Sequence, residues 1–463
     1  MTEYLTALAQ KNIGVVGLGV SGFACAEFLL NNDIQPFLVD GNLLGRGALK
    51  ARQKWPDVEL YDFADCQEKL NTANMLIISP GIALSHPLLV EASSNNVEII
   101  GDVELFARLN DKPVIGITGS NGKSSVTTLA TMMLERSGFN AAYGGNIGVP
   151  VMALLSQANE KPLDVIVLEL SSFQLETTDS LQCQSATILN VVEDHMDRYE
   201  SFDVYIAAKQ KIYRHCKHAV VNRNDSNTIP ASTVGELTSF GLDTPNTSEV
   251  GINKDHLVAS VNGQLEQLCA LGDLKLQGQH NEQNALAAWA LVMPFAPSKQ
   301  GLIAALTKFA GLPHRCQKVA VVGDIEWIND SKGTNVGATV AAIESVRPRI
   351  EGRMALIAGG DGKQADFSPL KEVMKSNVDF LITFGEDGDQ LDALYGGEKV
   401  AVNELSEAVS AAKAWAKGQD CVMFSPACAS GAAFTNYIER GDTFVGLVQQ
   451  VESQEVRGGG YGH

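Results

Sequence analysis

Five polar residues carry the chemistry open to this sequence. Lys123 and Ser124 close the loop Gly119-Ser120-Asn121-Gly122-Lys123-Ser124, which follows the apolar run "PVIGIT" and leads into a segment of helical periodicity. Glycines there let backbone N–H groups wrap phosphate oxygens. The lysine supplies a point charge for the β- and γ-phosphates, and the serine hydroxyl reaches a magnesium ion. The strict pattern G-x-x-x-x-G-K-[ST] would need glycine at 117, where the chain has Ile117. The loop is therefore shorter than the standard one, though its working parts remain. A Gly-rich strand-to-helix turn with an exposed lysine is the plainer reading, and the flanking strand and Gly-Lys-Ser favour a nucleotide. Glu169 ends the apolar "VIVLEL" and His195 follows the apolar "ATILNVV". Each alone reads as a turn carboxylate or a hydrogen-bonded histidine. Together, after consecutive strands beside a triphosphate loop, they suit a magnesium site.

Lys209 is the fifth. Phe202, Tyr205, Ile206, Lys209 and Tyr213 recur at three- and four-residue steps, so Lys209 shares the apolar face while Lys211 does not. Either it snorkels to solvent, or desolvation frees a neutral amine. A neutral amine at a metal pocket can combine with CO2 to form an anionic carbamate ligand. A second glycine loop, Gly17-x-Gly19-x-x-Gly22, follows the apolar Ile13–Val16, and Asp40 ends the next apolar run about twenty residues on. This matches the dinucleotide fingerprint, and "ANMLIISPGIAL" repeats the strand-then-turn pattern.

These residues need elements to hold them. Strand-like runs alternate with helical periodicity along the whole chain, which predicts parallel sheets covered on both faces. At 463 residues the chain is long enough for about three domains. The segment 223–270 is polar and less regular, a small β excursion. Pro313, in "GLPHR", is read as the break before a third block whose strands end in polar turns: "IEWINDSKGTN", "MALIAGGDGKQADF", "DFLITFG" and "DCVMFSPACAS". The tail "VRGGGYGH" is expected to lack order.

The net charge of −19, from 54 acidic and 35 basic residues, repels nucleic acid and anionic membranes. Anionic ligands must then be gripped by local devices. No run is apolar enough for membrane insertion, and "MTEYLTALAQKN" shows no export signal, so a cytoplasmic protein is expected. The eight cysteines are scattered, as small buried hydrophobes in a reducing compartment would be.

In order along Ile115–Ser430 run "GITGSNGKSS", "LELSSFQLET", "ILNVVEDHMDRY", "AAKQKIY", "GQHNEQNALAA", "GLPHR", "INDSKGTN", "GGDGKQADFSPL" and "SPACAS". With "GLGVSG" and "SPGIALSHP" upstream, the chain resembles the Mur ligases over almost its whole length. The resemblance implies an α/β chain of three domains, each on a mainly parallel sheet with flanking helices. These are a Rossmann-like UDP-substrate domain (1–101), a P-loop ATPase (102–311) and a Rossmann-like amino-acid domain (312–463). It implies a cytoplasmic ligase of peptidoglycan precursor synthesis, a monomer by default, that uses ATP to add D-glutamate to UDP-N-acetylmuramoyl-L-alanine through an acyl phosphate.

Residue by residue, the resemblance gives the UDP substrate Gly19, Val20, Ser21, Asp40, Ser79, Pro80, Gly81, Asn146 and His195. It gives ATP the loop Gly119–Ser125, with Ser120, Asn121 and Gly122 between, then Asn284 near the adenine, Arg315 at the γ-phosphate and Asp330 at the ribose. Two magnesium ions would be held by Ser124 and Glu169, and by His195 and carbamylated Lys209. Lys123, Glu169, His195 and Lys209 form the implied catalytic set. Lys332, Thr334, Lys363, Ser430 and Tyr437 would hold D-glutamate. Lys363 in "GGDGKQADF" separates this pattern from the diaminopimelate-adding ligases, whose "DNPR" is absent. Five positions depart from the family pattern: Gly41-Asn42 for Thr-Arg, Ser125 for threonine, Gly431 for leucine and Tyr437 for phenylalanine. Three other readings stand beside it: a folylpolyglutamate synthetase-like enzyme, an NAD-dependent oxidoreductase resting on Gly17–Gly22 and Asp40, and a non-catalytic nucleotide sensor.

Overall fold

A computed structural model gives the structure of the chain and describes residues 2–160, 162–261, 263–276 and 278–458. Three sheets organise it. The first holds β1 (Ile13–Val16), β2 (Phe37–Asp40), β3 (Leu60–Asp62), β4 (Met75–Ile78) and β5 (Glu98–Gly101), all parallel in the order β3-β2-β1-β4-β5. Every residue of β1 and β4 is buried. Continuous apolar strands of this kind are what a parallel sheet covered on both faces requires. The strand order reverses between β1 and β4, which opens a crevice at their carboxyl ends.

The second sheet contains β6 (Val114–Thr118), β7 (Ala141–Gly145), β8 (Val165–Glu169), β9 (Ser185–Ile188), β10 (His218–Asn222), β11 (Glu236–Phe240), β12 (Glu249–Asn253), β13 (His256–Val261) and β14 (Gln264–Ala270). Its order is β14-β13-β12-β11-β10-β9-β6-β8-β7. β6 through β12 run parallel and β12-β13-β14 antiparallel, with an irregularity at Leu257/Val258. The segment 223–270 is thus an extension of the main sheet by four strands, more than a small excursion. The order reverses between β6 and β9, so the loops after those two strands face one another across a crevice.

The third sheet holds β15 (Gln317–Val322), β16 (Ile325–Asn329), β17 (Met354–Gly359), β18 (Phe380–Phe384), β19 (Glu398–Ala401) and β20 (Cys421–Phe424). The order is β15-β16-β20-β17-β18-β19, parallel except for the β15–β16 hairpin. Alternation along the strands splits its core in two. Leu356, Leu381 and Met423 pack with Ile343 and Met374, while Ile357, Ile382 and Phe424 pack with Val409 and Phe444 on the other face.

By packing, the chain divides into two compact units. The first comprises Met1–Val191, Asp203–Gln277 and Glu282–Phe309, and carries the first two sheets. The second takes Val192–Phe202, Gly278–Asn281 and Ala310 onward, with the third sheet. The helix before the third sheet stops at Lys308, ahead of Gly311 at φ +90° and Pro313, so Pro313 is not what ends it. The final helix spans Tyr437–Gly458, which includes the start of the tail expected to lack order; 459–463 lie outside the described residues. All eight cysteines are free, and every one but Cys316 is buried. Among the described residues, no helix is long and apolar enough to cross a membrane.

Candidate functional site

The phosphate loop leaves the carboxyl end of β6. Ile117, where the strict motif has glycine, lies inside that strand and is fully buried, in register with Glu169 on β8 and Thr187 on β9. The turn therefore needs only Gly119 and Gly122. Gly119 sits at φ +148°, where an added Cβ would meet Leu189 Cβ at 3.1 Å. Gly122, at φ +85°, caps the helix Lys123–Arg136, and a Cβ there would come within 2.5 Å of Asn284 Oδ1. Both conformations favour glycine. Asn284 is thus brought to the loop. Ser124 and Ser125 are buried in the first helical turn. Lys123 Nζ folds back on the loop, donating to the carbonyls of Gly119 (2.7 Å) and Ser120 (2.9 Å).

Lys209 shares that carbonyl: its Nζ donates to Gly119 O at 3.0 Å and stands 4.4 Å from the centre of the Tyr205 ring. At 2% exposure it does not snorkel to solvent. Glu169, at the end of β8, is 1% exposed. Its Oε1 accepts from Asn146 Nδ2 at 2.7 Å, and its Oε2 is buried without a hydrogen-bond partner. A buried carboxylate oxygen left bare is costly. It suits a cation delivered with a ligand, since magnesium takes one or two carboxylates plus phosphate oxygens and waters. Among the described residues no group of three or more His, Cys, Asp or Glu side chains is gathered for a metal.

Two residues given no site role from the sequence hold the loop. Asn190, just after β9, accepts from Asn121 N (2.8 Å) and donates back to Asn121 O (3.1 Å), while its own carbonyl accepts from Ser120 N (2.9 Å). Tyr205 OH meets Ser120 Oγ at 3.1 Å. An asparagine inside the apolar "ILNVV" was the available signal for the first.

At the first sheet's crevice, Gly17 is at φ +85° and Ser79 Oγ donates to its carbonyl (2.8 Å). A Cβ on Gly22 would lie 1.9 Å from Gly17 O, so the loop closes only on glycine. Asp40 accepts from Leu18 N (2.6 Å) and Asn42 N (2.9 Å). Its carboxylate closes this loop, which weakens its use as the ribose anchor of a dinucleotide site. Asn42 turns its Oδ1 onto Leu44 N (3.2 Å), so it does not replace the family's arginine. Gly81 lies open, with no atom within 4 Å of an added Cβ. Ser21 is half-buried in the first turn of the helix Val20–Asn31, and the buried Asp102 accepts from Gln174 Nε2 (3.2 Å). Val20 is 77% exposed at the head of the helix Val20–Asn31, and Pro80 follows Ser79 in the loop after β4.

The second unit carries the remaining candidates. Asp330 follows β16. Its carboxylate accepts from Ser425 Oγ (2.7 Å) and Cys316 N (3.1 Å), and burial pushes its pKa up to about 6. Arg315 follows His314, which is at φ +62° and whose Nδ1 meets Asn329 Nδ2 at 3.1 Å. Burial and the Arg315 charge hold His280 down at about 4. Lys332 Nζ stands 3.9 Å from the centre of the Tyr437 ring, a service that phenylalanine could also give. Lys363, at φ +52°, pairs with Asp194 Oδ1 at 2.8 Å, and Asn335 Nδ2 donates to the other oxygen (3.3 Å). Asp194, His195, Thr334, Asn335 and Lys363 line one small cavity. Ser430 precedes Gly431, whose φ of +64° explains glycine in place of the family's leucine. His195 Nε2 lies 3.7 Å from Asp194 Oδ2.

Residues 11–101 match the model of the Mur ligase MurD-like N-terminal domain, 117–292 that of the Mur ligase middle domain, and 314–428 that of the Mur ligase glutamate ligase domain. The chain is 44% identical to a UDP-N-acetylmuramoylalanine--D-glutamate ligase of Shewanella oneidensis, over 95% of this chain and 98% of that protein. It is 42% identical to the protein of the same name in Marinobacter nauticus, over 96% and 99%. Among solved structures, it is similar to UDP-N-acetylmuramate-alanine ligase MurC of Thermotoga maritima at a TM-score of 0.59 and 19% identity, covering 95% of this chain and all of that one. FolC of E. coli gives 0.58 at 18% identity over 76% and 93%, a likeness of fold alone.

Proposed function

The chain belongs to the Mur ligase family, among its UDP-N-acetylmuramoylalanine--D-glutamate ligases, and we infer that it adds D-glutamate to UDP-N-acetylmuramoyl-L-alanine while ATP is cleaved to ADP and phosphate. The reaction serves peptidoglycan synthesis. The observation that carries the reading is the near-complete coverage, at 44% identity, of a D-glutamate ligase by this chain. The folate-enzyme reading rests on fold alone. The oxidoreductase and sensor readings leave the bare Glu169 oxygen and the third sheet's lysines without purpose.

In the proposed mechanism an oxygen of the alanyl carboxylate attacks the γ-phosphorus, the bond to the β-phosphate oxygen breaks, and ADP leaves. The D-glutamate amine then attacks the acyl carbon, the tetrahedral adduct loses its proton, and phosphate departs with one former carboxylate oxygen. Most of the barrier reduction comes from gathering anions and neutralising them. Backbone N–H groups of Gly119–Ser125 and the helix start would hold phosphate oxygens. Lys123 would exchange its loop carbonyls for the β/γ-phosphates. Asn190 and Tyr205 keep the loop in shape, and Asn146 orients Glu169. Magnesium, when bound by Ser124 and Glu169, supplies charge neutralisation to the phosphates. A second ion, on His195 and a carbamate of Lys209, is carried by the resemblance alone. So are Arg315 and Asp330 at ATP, and Gly19–Ser21, Asp40, Ser79–Gly81 and Asn146 at the UDP substrate. For D-glutamate, Lys332 and Lys363 offer the cations that a dicarboxylate needs in so acidic a protein.

We assign residues 1–101 to UDP-substrate binding, 102–311 to the ATPase and 312–463 to amino-acid binding, with the matches at 11–101, 117–292 and 314–428 in support. A monomer acting in the cytoplasm completes the reading. A coupled phosphate-release assay tests it. Release should require both UDP-N-acetylmuramoyl-L-alanine and D-glutamate. Release with L-glutamate but not D-glutamate, or equal release with neither substrate, defeats it.

A further inference from the structure

Arg440 is the fourth residue of the helix Tyr437–Gly458 and has no exposure at all. It lies on the helix's buried face with Phe444 and Val448. A guanidinium there raises a physical question, because a buried charge is normally paired with a carboxylate. Its hydrogen bonds all go to neutral oxygens. Nε donates to Ser331 Oγ (3.1 Å), Nη2 to Ser331 O (2.8 Å), and Nη1 to Cys428 O (3.0 Å) and Ala429 O (2.9 Å). Among the described residues it forms no ion pair. Burial drags its pKa down to about 10, only partly offset by Cys428 and the Asp330 carboxylate.

The acceptors identify the purpose. Ser331 precedes Lys332, and Cys428-Ala429 precede Ser430. Ser331 Oγ in turn donates to Tyr437 O at 2.8 Å, in the first turn of Arg440's own helix. One planar fork thus ties together the segments bearing three of the five residues assigned to D-glutamate. A lysine could not reproduce that geometry, since it offers a single point charge where the guanidinium offers a rigid fork.

We propose that Arg440 is the positioning residue of the amino-acid subsite: it sets the spacing of Lys332 and Ser430, and its uncompensated charge favours an acceptor amino acid with two carboxylates. The proposal rests on the D-glutamate reading above and adds a residue and a cause of selectivity to it.

Initial-rate kinetics on the full chain test it, with Arg440→Lys, Arg440→Met and the milder Ser331→Ala, which removes only the hydroxyl. KM for D-glutamate should rise tenfold or more in Arg440→Lys and about threefold in Ser331→Ala, with KM for ATP and for the UDP substrate within twofold of wild type. The preference for D-glutamate over D-glutamine should fall tenfold in Arg440→Met and persist in Arg440→Lys, which keeps the charge. If an Arg440 variant does not fold, Ser331→Ala still decides the positioning claim. Unchanged KM for D-glutamate with a lowered melting temperature, or a parallel rise in all three KM values, overturns the proposal. Wild-type enzyme inactive with D-glutamate would instead sink the functional reading beneath it.

Discussion

Replacing Glu169 by glutamine should make the ligand-free protein more stable and the enzyme much worse. The carboxylate is 1% exposed, one oxygen takes the Asn146 amide at 2.7 Å, and the other has no partner. A buried charged oxygen without a hydrogen bond costs about 1–3 kcal/mol. Glutamine is nearly isosteric and keeps an acceptor for Asn146, while removing the charge. We expect a gain of about 1–2 kcal/mol without ligand. For a domain of 150–250 residues, the size of the segment 102–311, that corresponds to a melting temperature higher by about 2–4 °C per kcal/mol. Magnesium and ADP should reverse the order. At a hundredfold excess over Kd a ligand adds about 2.7 kcal/mol, and the wild type should collect more of it than the variant. Turnover should drop by roughly 10²–10³, the scale of losing one charge-stabilising group. Scanning fluorimetry with and without magnesium and ADP, beside the phosphate-release rate, reads all three quantities. A variant less stable than wild type without ligand, or one with full turnover, would refute the reasoning.

Other expectations follow from the same geometry. Asn190→Asp keeps the bond from Asn121 N but sets a carboxylate oxygen against Asn121 O, at the present 3.1 Å spacing. KM for ATP should rise at least tenfold in steady-state kinetics, with little change for D-glutamate. Lys209→Ala should be nearly inactive and partly restored by short carboxylic acids standing in for a carbamate; full activity would remove Lys209 from the mechanism. Asp330, with its pKa raised to about 6, gains a proton on folding, so its contribution to stability is present at low pH and is lost as pH rises through about 6. Asp330→Asn should therefore stabilise the protein more at pH 8 than at pH 5 in denaturant titrations.

Much of this was legible in the sequence, for identifiable reasons. Glycines at 119 and 122 announced a phosphate loop because only glycine tolerates φ +148° and +85° there. Lys209 could be picked out because helical spacing put a cation on an apolar face, and the structure buries it. The same spacing, Arg440-Phe444-Val448, puts a cation on an apolar face at 440, but no phosphate or metal motif lies beside it to mark a role. Asn190 was missed since its task is to hold backbone, which no motif of charged residues announces. The edge strands β14 and β15 were poorly legible for another reason. Edge strands such as Gln264–Ala270 and Gln317–Val322 carry mixed, half-exposed residues, so the continuous apolar runs that reveal central strands are missing. The charge of −19 foretold that anions would need local grips, though not that a buried arginine would brace them.

The account stands or falls on where the alanyl carboxylate oxygens go. With both oxygens of that carboxylate labelled with oxygen-18, mass spectrometry of the released phosphate should find one label in phosphate and one in the new amide for each D-glutamate added. Unlabelled phosphate accompanied by normal product formation would contradict carboxyl activation by ATP, and with it the use assigned here to the phosphate loop, Lys123 and Glu169.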